Sequence, residues 1–160
     1  LWGDPRVTGL IDARPRLEIP AIRERLAAEI ADERAHGVQY WPIFARDPAA
    51  PDGPRIGSHL GCCGLRPRDP ARRIFELGVH LRPEHWGQGL ATEASRSAIA
   101  YAFDELGAAA LSAGHHPANT ASQRTLEKLG FRPIGAEVYP PTGLFHPSYL
   151  LERKPGSGAR

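Results

Sequence analysis

The chain has 160 residues, with 20 Lys and Arg against 18 Asp and Glu, for a formal net charge of +2. This length fits one domain that buries about 70% of its unfolded surface and needs no disulfide or metal staple. Basic residues are scattered among acids, which argues against a nucleic-acid footprint, and no apolar run reaches membrane-spanning length.

Residues 1–15 show little periodicity and read as irregular. Ile19, Ile22, Leu26 and Ile30 then recur at helical spacing, so an amphipathic helix is expected over 18–36, with Pro20 in its first turn and Gly37 ending it. Gln39–Arg46 reads as a strand that Pro42 confines to an edge or a bulge. Asp47–Pro54 is a turn cluster, Arg55–Leu65 a second strand, Pro67–Pro70 another turn, and Arg72–Leu81 a third strand. Cys62 and Cys63 are neighbours on the second strand and point to opposite faces, so they do not bridge. No zinc-like spacing surrounds them, and they read as small buried thiols of a reducing cytoplasm. A helix is expected from Gly89 to about Leu106, burying Leu90, Ala94, Ala98 and Tyr101. Ala109–Gly114 is a short strand, parallel to its predecessor through a right-handed crossover. Asn119 or Thr120 caps a further helix that Gly130 ends, and Arg132–Tyr139 and Phe145–Arg153 close as a hairpin. Residues 1–154 form one domain in this reading, with 155–160 as a disordered tail.

The stretch Phe75–Ala94 carries the chemistry: a strand runs into a glycine-rich turn that opens directly into a helix. Backbone amides and a helix N-terminus then converge on one spot, which suits a phosphate or pyrophosphate. Glu76 sits just upstream as a candidate general base, sharing a strand face with Gly78 and His80 while Phe75, Leu77, Val79 and Leu81 face the core. His80 is a second candidate base, and His115 and His116 read as surface residues. The turn Trp86-Gly87-Gln88-Gly89-Leu90-Ala91-Thr92 lacks the Gly-Lys-Ser/Thr of a P-loop, and Thr92 stands where a dinucleotide fingerprint needs its third glycine.

Three stretches in order, GCCGLRP (61–67), ELGVHLRPEHWGQGLATEA (76–94) and ANTASQRTLEKLGF (118–131), resemble the GNAT superfamily of N-acetyltransferases. Within it, the chain is similar to the branch of ribosomal-protein N-terminal acetyltransferases. Trp86 takes the Gln/Arg place of the family turn, a departure familiar in this branch. The resemblance implies an α/β (α+β) fold with a mixed, mostly antiparallel sheet and helices on both faces. It also implies a first strand and helix that are not found before residue 18. The chain opens at Leu1 rather than Met, so preceding residues are expected to be missing.

By the same resemblance, acetyl-CoA is the cosubstrate and no metal takes part. The turn from Trp86 through Thr92 would hold the pyrophosphate, and pantetheine would lie along the third strand near Val79 and Leu81. Asn119 would contact the pantetheine arm and Ser122 would protonate the sulfur; their plainer role is helix capping. Tyr139 and Tyr149 are spare acids, Arg124 and Lys128 could reach the 3′-phosphate or simply form a solvated face, and Trp41 and Trp86 line the cleft or pack. The acceptor would be a protein N-terminus or a small-molecule amine. Many relatives pair through their last strands, which leaves a homodimer open. A competing reading is a catalytically silent acyl-CoA-binding sensor, which would keep the turn without needing Glu76 or Ser122.

Overall fold

A computed structural model describes residues 1–46 and 57–153. The expected turn at 47–54, the first residues of the strand expected from Arg55, and the tail 155–160 lie outside the described residues. The opening segment is less irregular than its sequence suggests. Asp4 accepts from the Arg6 amide and caps a four-residue helix, α1 (Pro5–Thr8). The Thr8 hydroxyl donates to the Trp2 carbonyl at 2.6 Å, and the Ala13 amide to the Pro141 carbonyl at 2.7 Å, which ties the segment down. One helical turn is too short to leave a periodic signature.

The first long helix, α2 (Ile19–His36), ends at Gly37 in a left-handed conformation, as expected. Its orientation is not as expected. Ile19, Leu26 and Ile30 are 59%, 50% and 42% exposed, while Glu29 is 1% exposed. The cause is polar: Glu29 accepts from the Tyr40 amide at 2.8 Å and ion-pairs with Arg66, so the helix turns its carboxylate toward the sheet.

Six strands order as β1-β2-β3-β4-β6-β5. They are β1 (Tyr40–Phe44), β2 (His59–Asp69), β3 (Ile74–Leu81), β4 (Ala110–Gly114), β5 (Arg132–Tyr139) and β6 (Leu144–Glu152). Pro42 lies in the edge strand β1, where a missing donor does little harm. β2 runs on through the expected turn at 67–70, because Pro67 pairs with Phe75 beside a bulge. All neighbouring pairs are antiparallel except β3 with β4. That parallel pair has three register partners, Ile74 with Ala110, Phe75 with Leu111 and Glu76 with Ser112, and stops there.

Between β3 and β4 runs α3 (Leu90–Ala100), extended by one wide turn over Tyr101–Glu105. It buries Ser95, Ala98 and Ala102; Leu90, Ala94 and Tyr101 of the expected stripe are only half-buried. Small side chains let this helix lie close to β2 and β3. The last helix, α4 (Thr120–Leu129), buries Leu126 and ends at Gly130 in the left-handed region. Leu65 and Leu77 join Ala98, Leu111 and Leu126 in the core. Arg66 and Glu76 alternate with those leucines and point to the opposite face, where α2 sits. Helices therefore cover both faces of the sheet.

Glu29→Gln leaves Arg66 without its counter-charge, and we expect a loss of about 3 kcal/mol in urea denaturation. The double change Glu29→Met/Arg66→Met should cost less than that single change, since neither charge is then left unpaired.

Candidate active site

Beyond Glu76 and Ser112, β3 and β4 part, and a cavity of about 640 Å³ opens between them. Main-chain directions follow from the ladder. The His80 carbonyl and the Arg82 amide point toward β2, the latter donating to Leu60. Val79 and Leu81, one residue out of phase, turn their amides and carbonyls into the gap. Trp86 Nε1 donates to the Leu81 carbonyl at 2.9 Å, so the indole pins the following turn against the strand.

The turn itself has the shape of an anion cradle. Gly87 and Gly89 take φ of +75° and +80°, and open space stands where their Cβ atoms would be. No side chain caps α3, so its first amides are left for another acceptor. Gly87, Gly89, Leu90, Ala91 and Thr92 all line the cavity with Trp86. Gln88 does not; its amide folds back onto the Glu84 carbonyl at 3.2 Å. Backbone donors plus a helix N-terminus fit a diphosphate without any lysine.

Across the cavity, Asn119 Oδ1 accepts from the Ser122 amide at 3.0 Å, so Asn119 is the helix cap. Both residues also face the cavity, and the Ser122 hydroxyl has no partner among the described residues. Arg124 and Lys128 line the same wall. Tyr149 is buried, and its hydroxyl lies 3.3 Å from His115 Nε2. His115 is thus an interior residue rather than the surface one expected, held at Nδ1 by the His116 carbonyl. Trp41 stacks edge-on against Tyr101 at 5.4 Å and is absent from the lining, so it packs.

At the opposite end, Glu76 stands across from Arg66 on β2 and beside Ser112 on β4. Gly78 follows on the same face, and a Cβ there would come within 1.9 Å of the Tyr40 hydroxyl, so the glycine makes room for the phenol ring. Burial and the Glu76 charge push the Tyr40 pKa up, which keeps that hydroxyl protonated. His80 Nδ1 accepts from Trp2 Nε1 at 3.1 Å. Burial, with Arg25 and Arg66 nearby, pushes the imidazole down to about 3, so it stays neutral. Burial lifts Cys62 to about 12 and Cys63 to about 11, so neither is a nucleophile near neutral pH.

Sequence reasoning overlooked Arg25, Tyr40, Arg66 and His146 at this cavity, and Trp2 behind it, which reaches the lining through His80. A glycine inside a strand marks close approach by another group, so Gly78 carried a signal for the Tyr40 ring. Among the described residues, no group of His, Cys, Asp or Glu is arranged to hold a metal, and no helix is long and apolar enough to cross a membrane.

The acetyltransferase (GNAT) domain family matches residues 1–132. YkkB of Bacillus subtilis (strain 168), a protein of uncharacterised function, is 33% identical over 135 residues, 81% of this chain and 70% of YkkB. YdaF of the same organism, provisionally named a ribosomal N-acetyltransferase, is 28% identical over 139 residues, 72% of this chain and 75% of YdaF. An acetyltransferase structure from Agrobacterium tumefaciens str. C58 superposes with a TM-score of 0.72, covering 95% of this chain and 81% of that one at 22% identity. The family match spans the cradle, the diverging strands and the Asn119 helix together, and the chain belongs to the GNAT family of acetyl-CoA-dependent acyltransferases.

Proposed function

We propose that this chain moves the acetyl group of acetyl-CoA directly to a primary amine, either a protein N-terminus or a small molecule, bound in the same cavity. The supporting observation is that Glu76, in no ion pair among the described residues, stands where β3 and β4 part, in one cavity with the cradle of Gly87 and Gly89. Acetyl-CoA, when bound, supplies an acyl carbon activated as a thioester and a sulfur leaving group. The amides of the 86–92 turn bind its diphosphate, and the Val79 main chain, with Asn119, holds the arm. The Val79 N–H meets the acyl oxygen as charge develops.

Glu76 accepts the proton of the attacking amine. A lysine-type amine costs roughly 4–5 kcal/mol to deprotonate at pH 7 and an α-amine about 1, so a base adjoining the site matters in both cases. His80 is the weaker candidate, since its Nδ1 is occupied by Trp2 and its pKa is pushed down to about 3. The Ser122 hydroxyl, without another partner among the described residues, donates to the departing sulfur. With both cysteines held as thiols, transfer proceeds without an acyl-enzyme. Buried thiols also suit a reducing cytoplasm.

An amine panel with acetyl-CoA, followed by thiol release, tests this reading. If acetyl-CoA binds and no amine is acetylated, the silent-sensor reading replaces it. Glu76→Gln should lower kcat by about 10²- to 10⁴-fold while calorimetry shows acetyl-CoA affinity unchanged. Gly89→Ala forces a side chain into the left-handed region, at about 1–2 kcal/mol, and should weaken acetyl-CoA binding roughly 10-fold.

The depressed His80 pKa also sets a pH dependence. Unfolded His80 takes up a proton below about 6.5, whereas the folded state refuses it down to about 3. The unfolded chain binds more protons in that window, so stability falls as pH drops from 6.5 toward 3. His80→Gln should remove up to one proton from that slope, read by urea denaturation across pH.

A further inference from the structure

The acceptor end of the cavity is lined by five charged side chains from α2, β2, β3 and β5: Arg25, Arg66, Arg68, Glu76 and Glu137. Three of them are already matched. Arg66 pairs with Glu29, and Arg68 pairs with Glu137. Glu76 and Arg25, opposite in sign, enter no ion pair among the described residues. Arg25 is moreover held in place. Its guanidinium carbon lies 4.6 Å over the Trp2 ring, and the Trp2 indole donates to His80 on β3. Stacking uses the face of the guanidinium and leaves its edge for in-plane hydrogen bonds. Arg25 Nε is buried without a hydrogen-bond partner among the described residues. The other buried side-chain atom in that condition, Glu33 Oε2, is not part of the cavity lining. The charge of Arg25 reaches Tyr40, His80 and Tyr139, which line this end, and Asp12 outside it.

We propose that Arg25 holds a carboxylate of the acceptor, so that the acceptor is a small amino-acid-like molecule carrying both an amine and a carboxylate. This rests on the acetyl-transfer reading of the cavity. The amine lies toward Glu76 and the carboxylate meets the free edge of Arg25, so each unpaired charge gains its opposite. A guanidinium edge matches the two oxygens of a carboxylate, and an orphaned buried donor is costly until a ligand satisfies it. A polycationic acceptor would instead leave Arg25 unmatched and meet its repulsion. Tyr40 and Val7 of the short helix α1 wall this end, which favours a compact acceptor over a long one.

The test compares matched pairs. The proteinogenic L-amino acids, and ω-amino acids from β-alanine to aminohexanoate, are each titrated by calorimetry against the protein with coenzyme A present, beside their carboxamides. At least one acid should bind about 10- to 100-fold more tightly than its amide, the range expected for a charge-assisted hydrogen bond. Arg25→Gln should close that gap, and Arg25→Lys, which keeps the charge but loses the fork, should restore part of it. Equal binding of acid and amide across the wild-type panel, or binding of neither, overturns the proposal whether or not the variants fold. A gap that survives Arg25→Gln overturns the assignment to Arg25. Turnover with acetyl-CoA is read separately: acid-selective binding without acetylation refutes the transferase reading and leaves the carboxylate site standing.

Discussion

Three register pairs join β3 to β4, and the site exists because there is no fourth. A parallel pair that continued past Glu76 would satisfy the Val79 and Leu81 main chain within the sheet. By parting there, the strands leave a row of backbone donors and acceptors facing a gap. The same divergence gives the crossover helix room to set its N-terminus at one end of the gap. Glu76 stands at the other end because it occupies the last paired position. Cradle, strand edge and carboxylate are thus placed by one irregularity of the sheet rather than by three separate devices.

The side of the sheet bearing Glu76 is governed by charge more than by apolar packing. Glu29, nearly without solvent contact, ties α2 to the Tyr40 amide and to Arg66. Arg66 in turn lies 4.4 Å over the Tyr40 ring, and that ring fills the space left at Gly78. A buried pair of this kind seldom adds much net stability, but removing one member is expensive. It therefore fixes geometry: the helix, the edge strand and the strand bearing Glu76 cannot shift independently. The surroundings also hold His80 neutral and Tyr40 protonated.

Legibility in the sequence tracked locality. The glycine-rich turn, the Asn119 cap and the alternation along β3 are local patterns, and each was readable from residue type and spacing. The hairpin and the crossover were likewise written in neighbouring segments. The helix at 19–36 shows where such reading fails. Its apolar spacing was real, yet its inward face was chosen by Glu29, whose partners lie on β1 and β2, distant in the sequence. The same holds for Trp2 and His80, separated by 78 positions and joined by one hydrogen bond. Pro67 misled in another way: a residue that usually ends a strand sits in this one because a bulge absorbs it. The glycine-rich end of the cavity was legible because it is made from one continuous stretch, and the end at Glu76 and Arg25 was not, because segments distant in the sequence build it.

The turn that begins at Trp86 is fastened by two side-chain hydrogen bonds, to the Leu81 and Glu84 carbonyls, while a side chain at position 87 or 89 would meet only open space. Its preferred shape is thus encoded in torsion angles and not in packing. Ordering such a segment around a ligand consumes conformational entropy, which the contacts formed there must offset. A ligand engaged there would be held by favourable heat against lost freedom, so its grip would weaken on warming.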